Sequence, residues 1–72
     1  MTTITRTLGP ELHRIRQGYW RVIAPSGVVL GYVEEFESDG VPRFRARRLL
    51  GTARLVEFGE FWQRADAVEA LR

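Results

Sequence analysis

Arg43-Phe44-Arg45-Ala46-Arg47 alternates a cation with an apolar side chain, and this period of two constrains the chain more than any other feature. A strand sends successive side chains to opposite faces of a sheet. Arg43, Arg45 and Arg47 therefore share one face, while Phe44 and Ala46 share the other. The apolar face marks the core and the arginines make the outer face cationic.

Turn chemistry supplies the neighbours of that strand. Asp39-Gly40 is a hairpin signal, because a type I′ turn needs φ > 0 at both central positions. Pro25-Ser26-Gly27 is a second turn, with proline fixing φ and glycine free to take φ > 0. The aromatic and β-branched segments around these turns read as strands over Tyr19–Ala24, Val28–Phe36 and Val41–Leu50. Pro42 suits an edge or a strand end. Leu12 to Ile15 is compatible with extended chain. Gly51-Thr52 breaks the pattern, Arg54–Phe58 is read as an optional fourth strand, and Gly59 punctuates it.

Arg64–Leu71 is the helix candidate. Ala67, Val68, Ala70 and Leu71 form an apolar side, with Asp66 and Glu69 away from it. Asp66 in the first turn and Arg72 at the end suit the helix dipole. Trp62 or Gln63 stands where a Ser, Thr or Asp cap is usual. So short a helix needs the sheet beneath it. The expected fold is α+β, a three- to four-stranded antiparallel meander with one C-terminal helix packed on one face. It occupies residues 11–72 as a single small domain behind a flexible N-terminal arm, residues 1–10.

At 72 residues such a domain buries only about 60% of the surface its unfolded chain exposes. There is no cysteine, hence no disulfide staple and no thiolate metal site, which fits a reducing cytoplasm. Nothing near Met1 resembles a secretory signal. The longest apolar run, Val28 to Val33, is far short of the roughly 20 residues of a membrane span. A soluble cytoplasmic protein with no membrane partner is expected.

Two-residue turns at Ser26-Gly27 and Asp39-Gly40 set a register by counting outward. Trp20, Val22, Ala24, Val29, Gly31, Val33, Phe44 and Ala46 then form the core face, with Gly31 leaving room for the Trp20 ring or the helix. Tyr19, Arg21, Ile23, Leu30, Tyr32, Glu34, Phe36, Arg43, Arg45 and Arg47 form the other. On it Arg21, Tyr32 and Arg47 make one row across three strands, Phe36 opposes Arg43, and Glu34 opposes Arg45.

Function is argued from that second face. All 11 basic residues are arginine, and the net charge is only +2. The charge is segregated, however: residues 34–40 carry −4 and residues 41–56 carry +5. Segregation of this kind creates one-signed patches on a nearly neutral protein. Arginines among aromatic rings offer charge for phosphate and flat surfaces for bases. Arg21, Arg43, Arg45 and Arg47 are therefore candidate nucleic-acid contacts, with Tyr32 and Phe36 as stacking platforms. The same residues also read as cross-strand pairs of a solvated sheet, Glu34 with Arg45 and Tyr32 between two arginines. The alternative partner is a protein, or a second copy of the chain, held by Ile23, Leu30, Phe36 and Leu49. The acidic segment before Gly40 and the pair Phe61-Trp62 favour that alternative. One contiguous positive face points to DNA, whereas neutralised pairs with an apolar patch point to a protein partner.

Catalysis has little to work with. His13 is the only histidine, and Ser26 and Ser38 fall in turns. Glu34, Glu35, Glu37 and Asp39 flank a hairpin tip without implying a cleft. No metal-ligand set, phosphate-binding loop or dinucleotide fingerprint is present. Neither an enzyme nor a cofactor is expected.

Three short segments resemble a known family. Trp20-Arg21-Val22-Ile23, Gly59-Glu60-Phe61 and Ala65-Asp66-Ala67-Val68-Glu69-Ala70-Leu71 are similar to the ethylene-response-factor type DNA-binding domain. They are also similar to the related arm-binding domains of phage tyrosine recombinases. In that scheme a tryptophan-bearing strand opens a three-stranded antiparallel sheet, and Gly-x-Phe precedes an alanine-rich helix. The resemblance implies that the sheet face away from the helix enters the DNA major groove, with Arg21, Arg43, Arg45 and Arg47 at the matching positions.

Overall fold

The alternating segments pair strictly with their neighbours in sequence. The computed structural model describes residues 9–72, so most of the arm expected over residues 1–10 lies outside the described residues. Its strands are β1 (Glu11–Arg16), β2 (Tyr19–Ile23), β3 (Val29–Ser38), β4 (Val41–Leu50) and β5 (Arg54–Phe61), followed by the helix α1 (Arg64–Ala70). They form one antiparallel five-stranded sheet in the order β1-β2-β3-β4-β5. The α+β meander with a C-terminal helix is as expected; three to four strands is an undercount. Two strands were underread, for different reasons. β1 is exposed on every residue and so lacks the half-buried alternation that betrays a strand. β5 runs through Gly59, read as a stop, to Phe61.

Asp39 and Gly40 take φ of 53° and 77°, as a type I′ turn requires, and the β3–β4 register follows from it. Val33 opposes Ala46, Tyr32 opposes Arg47, Glu34 opposes Arg45 and Phe36 opposes Arg43. Pro42 pairs with Glu37 beyond the reach of β5, whose last pairing is Phe61 with Phe44, so proline costs the sheet no rung there.

The β2–β3 hairpin departs from the expected two-residue turn. The Gly27 amide donates to the Ala24 carbonyl and the Ala24 amide to the Val28 carbonyl, each at 2.8 Å. The loop is therefore Pro25-Ser26-Gly27, a type I turn closed by Gly27 at φ 93°. A bulge at Leu30 absorbs the slip: Ile23 pairs with Val29, and Val22 still pairs with Gly31. Trp20 opposite Val33 and Arg21 opposite Tyr32 stand as expected. Leu30, assigned to the outer face, instead packs against the core. Val29 shares a face with Ile23 rather than with Val22.

The core is small. Val22, Val33 and Ala46 from the sheet meet Ala67, Val68 and Leu71 from the helix side, and Trp20, Leu30, Phe44 and Phe61 pack round them. The helix lies over β3, β4 and β5. Each buried valine or leucine contributes about 1.5–3 kcal/mol by leaving water. Gln63 precedes the helix in extended geometry without a side-chain cap, so packing rather than capping holds the first turn. Gly31 makes room for a different neighbour from the one expected. A Cβ there would lie 2.1 Å from the Arg47 carbonyl oxygen and 3.0 Å from the Arg48 Cα, so it is the β4 backbone, not Trp20 or the helix, that approaches.

Candidate interaction face

The sheet face turned away from α1 gathers Arg21, Tyr32, Phe36, Arg43, Arg45 and Arg47, while Leu30, expected there for a protein contact, packs on the core side. Arg21, Tyr32 and Arg47 form the expected row, and Phe36 stands opposite Arg43 one side of the Glu34–Arg45 pair. β5 then adds residues that sequence reasoning did not place there. Arg47 pairs with Glu57, Ala46 with Gly59 and Arg45 with Glu60, leaving Phe58 as the extra residue of a bulge. Residues three apart in a regular strand point to opposite faces. The bulge at Phe58, with Gly59 at φ 132°, reverses that parity and brings both Glu57 and Glu60 onto the arginine face.

The result is a charge lattice across three strands. Glu34 lies 3.5 Å from Arg45 and 3.4 Å from Arg47, and reaches Arg16 at 3.8 Å. Arg45 donates to Glu60 at 3.2 Å and lies 3.7 Å from Glu57. Arg43 approaches Glu60 at 4.0 Å. The side chains are only partly solvated, 25% for Arg45 and 26% for Glu34. Rings cover what the carboxylates leave. The Arg45 guanidinium sits 4.2 Å from the Phe36 ring centroid and that of Arg43 sits 4.2 Å from the Trp62 ring. The Nε atoms of Arg43 and Arg45 are buried without a hydrogen bond, and Glu57 approaches that of Arg45 at 3.7 Å.

Towards β2 the same face changes character. Tyr19 and Tyr32 stack with centroids 5.6 Å apart and planes 7° from parallel. Arg16 lies over Tyr19 at 4.8 Å and Arg21 over Tyr32 at 5.9 Å. Among the described residues no carboxylate comes within 4.0 Å of Arg21, in contrast to Arg43, Arg45 and Arg47. His13, opposite Arg21 on β1, lies 4.0 Å from Glu11.

Glu60 lies past Gly59, which punctuates the sequence pattern, and Glu57 falls in Arg54–Phe58, an optional strand for which the turn signals set no register against β4. The available signal was stoichiometric: three arginines in alternation on β4 face two glutamates on the next segment. Tyr19 was placed on this face without a role, and its stack on Tyr32 needed the third dimension. Among the described residues no group of three or more histidine, cysteine, aspartate or glutamate side chains is arranged to hold a metal ion. No described helix is long and apolar enough to cross a membrane.

Fold and face together define a five-stranded meander with one covered side and one open side bearing an arginine–glutamate lattice beside a tyrosine stack. No protein-family model matches the chain, and no curated protein or solved structure matches it.

Proposed function

We propose that the chain is a non-catalytic binding module whose open sheet face docks a protein partner. One observation carries this reading: each of Arg43, Arg45 and Arg47 already lies within 4.0 Å of a carboxylate from Glu34, Glu57 or Glu60. A phosphate would have to displace those carboxylates and would meet their charge. A protein surface faces no such penalty, since a near-neutral lattice is complementary to other mixed surfaces. Composition supports the same partner class. Arginine, tyrosine and tryptophan dominate the residues whose loss most weakens protein interfaces, and here rings already hold the arginines. Preorganised side chains lose less entropy on docking.

A second reading keeps nucleic acid, confined to the β2 side. The Tyr19–Tyr32 stack beside Arg21, which has no carboxylate neighbour among the described residues, offers a stacking platform with a free cation. The resemblance to the ethylene-response-factor type domain also supports this reading through Arg21. A photo-crosslinking side chain at Tyr32, with one at exposed Asp39 as control, separates the two in the native cell. The protein reading expects Tyr32 adducts that protease removes and nuclease leaves intact, lost when Arg45→Glu is added. Nuclease-sensitive adducts, or no adduct above the Asp39 control, would overturn it.

A further inference from the structure

On the open face every arginine but one is matched by a carboxylate, and the exception sets what a partner must bring. Arg43, Arg45 and Arg47 each lie within 4.0 Å of Glu34, Glu57 or Glu60, and Arg16 lies 3.8 Å from Glu34. Arg21 has no carboxylate within 4.0 Å among the described residues. Opposite it stand His13 on β1 and Tyr32 on β3, neither of which is a carboxylate. The Arg21 guanidinium sits 5.9 Å from the Tyr32 ring centroid, and the Tyr32 ring is stacked on that of Tyr19. All three residues are half-buried. The tyrosines therefore present a flat surface beside a single unmatched cation.

A guanidinium covered by a partner loses its water, and without an anion in contact nothing offsets that loss. Docking over Arg21 becomes favourable when the partner supplies the carboxylate that β1 and β3 do not. An arginine fork and a carboxylate meet through two parallel hydrogen bonds. No resident carboxylate has to move aside for them here. A chain of phosphates fits the same place less well. Each strand of a DNA duplex presents a charge about every 3.4 Å. Arg16 and Arg47, the next cations along the face, both lie on Glu34, at 3.8 and 3.4 Å, so a second phosphate meets that glutamate. The place accommodates one isolated negative charge and not a row of them.

We infer that Arg21 is the specificity-determining residue of this face, and that the partner seats one aspartate or glutamate on its guanidinium with an aromatic side chain laid against the Tyr19–Tyr32 stack. This rests on the reading that the face docks a protein. It adds the chemistry by which that protein is chosen. The balanced lattice around Arg45 admits many surfaces, whereas Arg21 rejects any that leaves it covered and unpaired.

A displayed library of random peptides, selected on the full chain, supplies the probe. Peptides are retained only if the Tyr32→Ala variant fails to bind them, which confines them to this face. Circular dichroism and melting confirm that every variant is folded. The retained peptides are expected to share an aspartate or glutamate at one position beside an aromatic residue. They should bind Arg21→Gln about 30-fold more weakly, the lower end of the cost of truncating one partner of a buried charge pair. A second selection on Arg21→Glu should exchange the acid for lysine or arginine. Retained peptides with no shared acid, or the same acid selected on Arg21→Glu, would overturn the inference and leave the docking reading standing. A selection that retains no peptide would overturn both. Single-stranded oligothymidylate that displaces the retained peptides at equal concentration in about 0.15 M salt would overturn the inference in favour of phosphate.

Discussion

Arg45 and Arg21 occupy the same face of the same sheet and do opposite things. Arg45, on β4 between β3 and β5, is enclosed by Glu34, Glu57, Glu60 and the Phe36 ring. Arg21, on β2, rests loosely on Tyr32 with no carboxylate beside it among the described residues. The difference comes from the neighbouring strands. β5 delivers two glutamates to the face through one bulge, whereas β1 places His13 opposite Arg21 and leaves its acid, Glu11, beside that histidine. Arginine content alone therefore says little about what a sheet binds. What decides is whether the next strand returns the charge.

Gly31 lets β3 and β4 approach closely and so joins the two halves. Gly31→Ala drives a methyl to 2.1 Å from the Arg47 carbonyl oxygen, and backbone cannot swing aside as a side chain can. A loss of about 3 kcal/mol is expected in urea denaturation, the upper end of ordinary overpacking. A variant as stable as the wild type would show that the strands have slack to separate. On the helix side Leu71→Ala removes a fully buried side chain that clamps the helix end, for an expected loss of about 2–3 kcal/mol.

The two arginines themselves give the sharper contrast. Arg45→Met keeps the aliphatic stem over Phe36 but leaves three carboxylates facing one another, so about 2 kcal/mol should be lost. Arg21→Met removes a distant cation–π contact and should cost no more than about 0.5 kcal/mol. Equal losses in matched thermal melts would erase the distinction between the two halves.

How much of this was legible in the sequence follows from where regular alternation holds. Between Gly31 and Arg48 the register could be counted from Asp39-Gly40 because φ > 0 at two adjacent residues leaves little choice of turn, whereas the expected pairing of Trp20 with Val33 stands because the bulge at Leu30 offsets the longer loop at Pro25-Ser26-Gly27. Counting misplaces Leu30 and does not extend to Phe58; both are bulges, where one extra residue changes which face a side chain takes. Leu30 cost only a core contact. Phe58 cost the glutamates, and with them the electrostatic character of the face. β1 shows in the sequence only as Leu12 to Ile15, compatible with extended chain, because an edge strand with six exposed residues has no buried alternate to mark it.

The central claim is that carboxylates from β3 and β5 spend the arginine charge within the fold, and one titration addresses it directly. Fluorescent duplex DNA is titrated at 50 and 200 mM salt, about the range over which counterion release is resolved, with the wild type and with Glu57→Gln/Glu60→Gln. The wild type is expected to bind through this face with a log–log salt slope no steeper than about −0.9, the value for one phosphate, which Arg21 serves as the arginine of the face with no carboxylate within 4.0 Å among the described residues. The double variant frees Arg43 and leaves Arg45 and Arg47 only the shared Glu34, so the slope should steepen to about −1.8 to −2.7, two to three phosphates at about −0.9 each. A wild type that already shows a slope near −3.6, unchanged by the two substitutions, would contradict it, because four arginines would then be meeting phosphate despite their carboxylates.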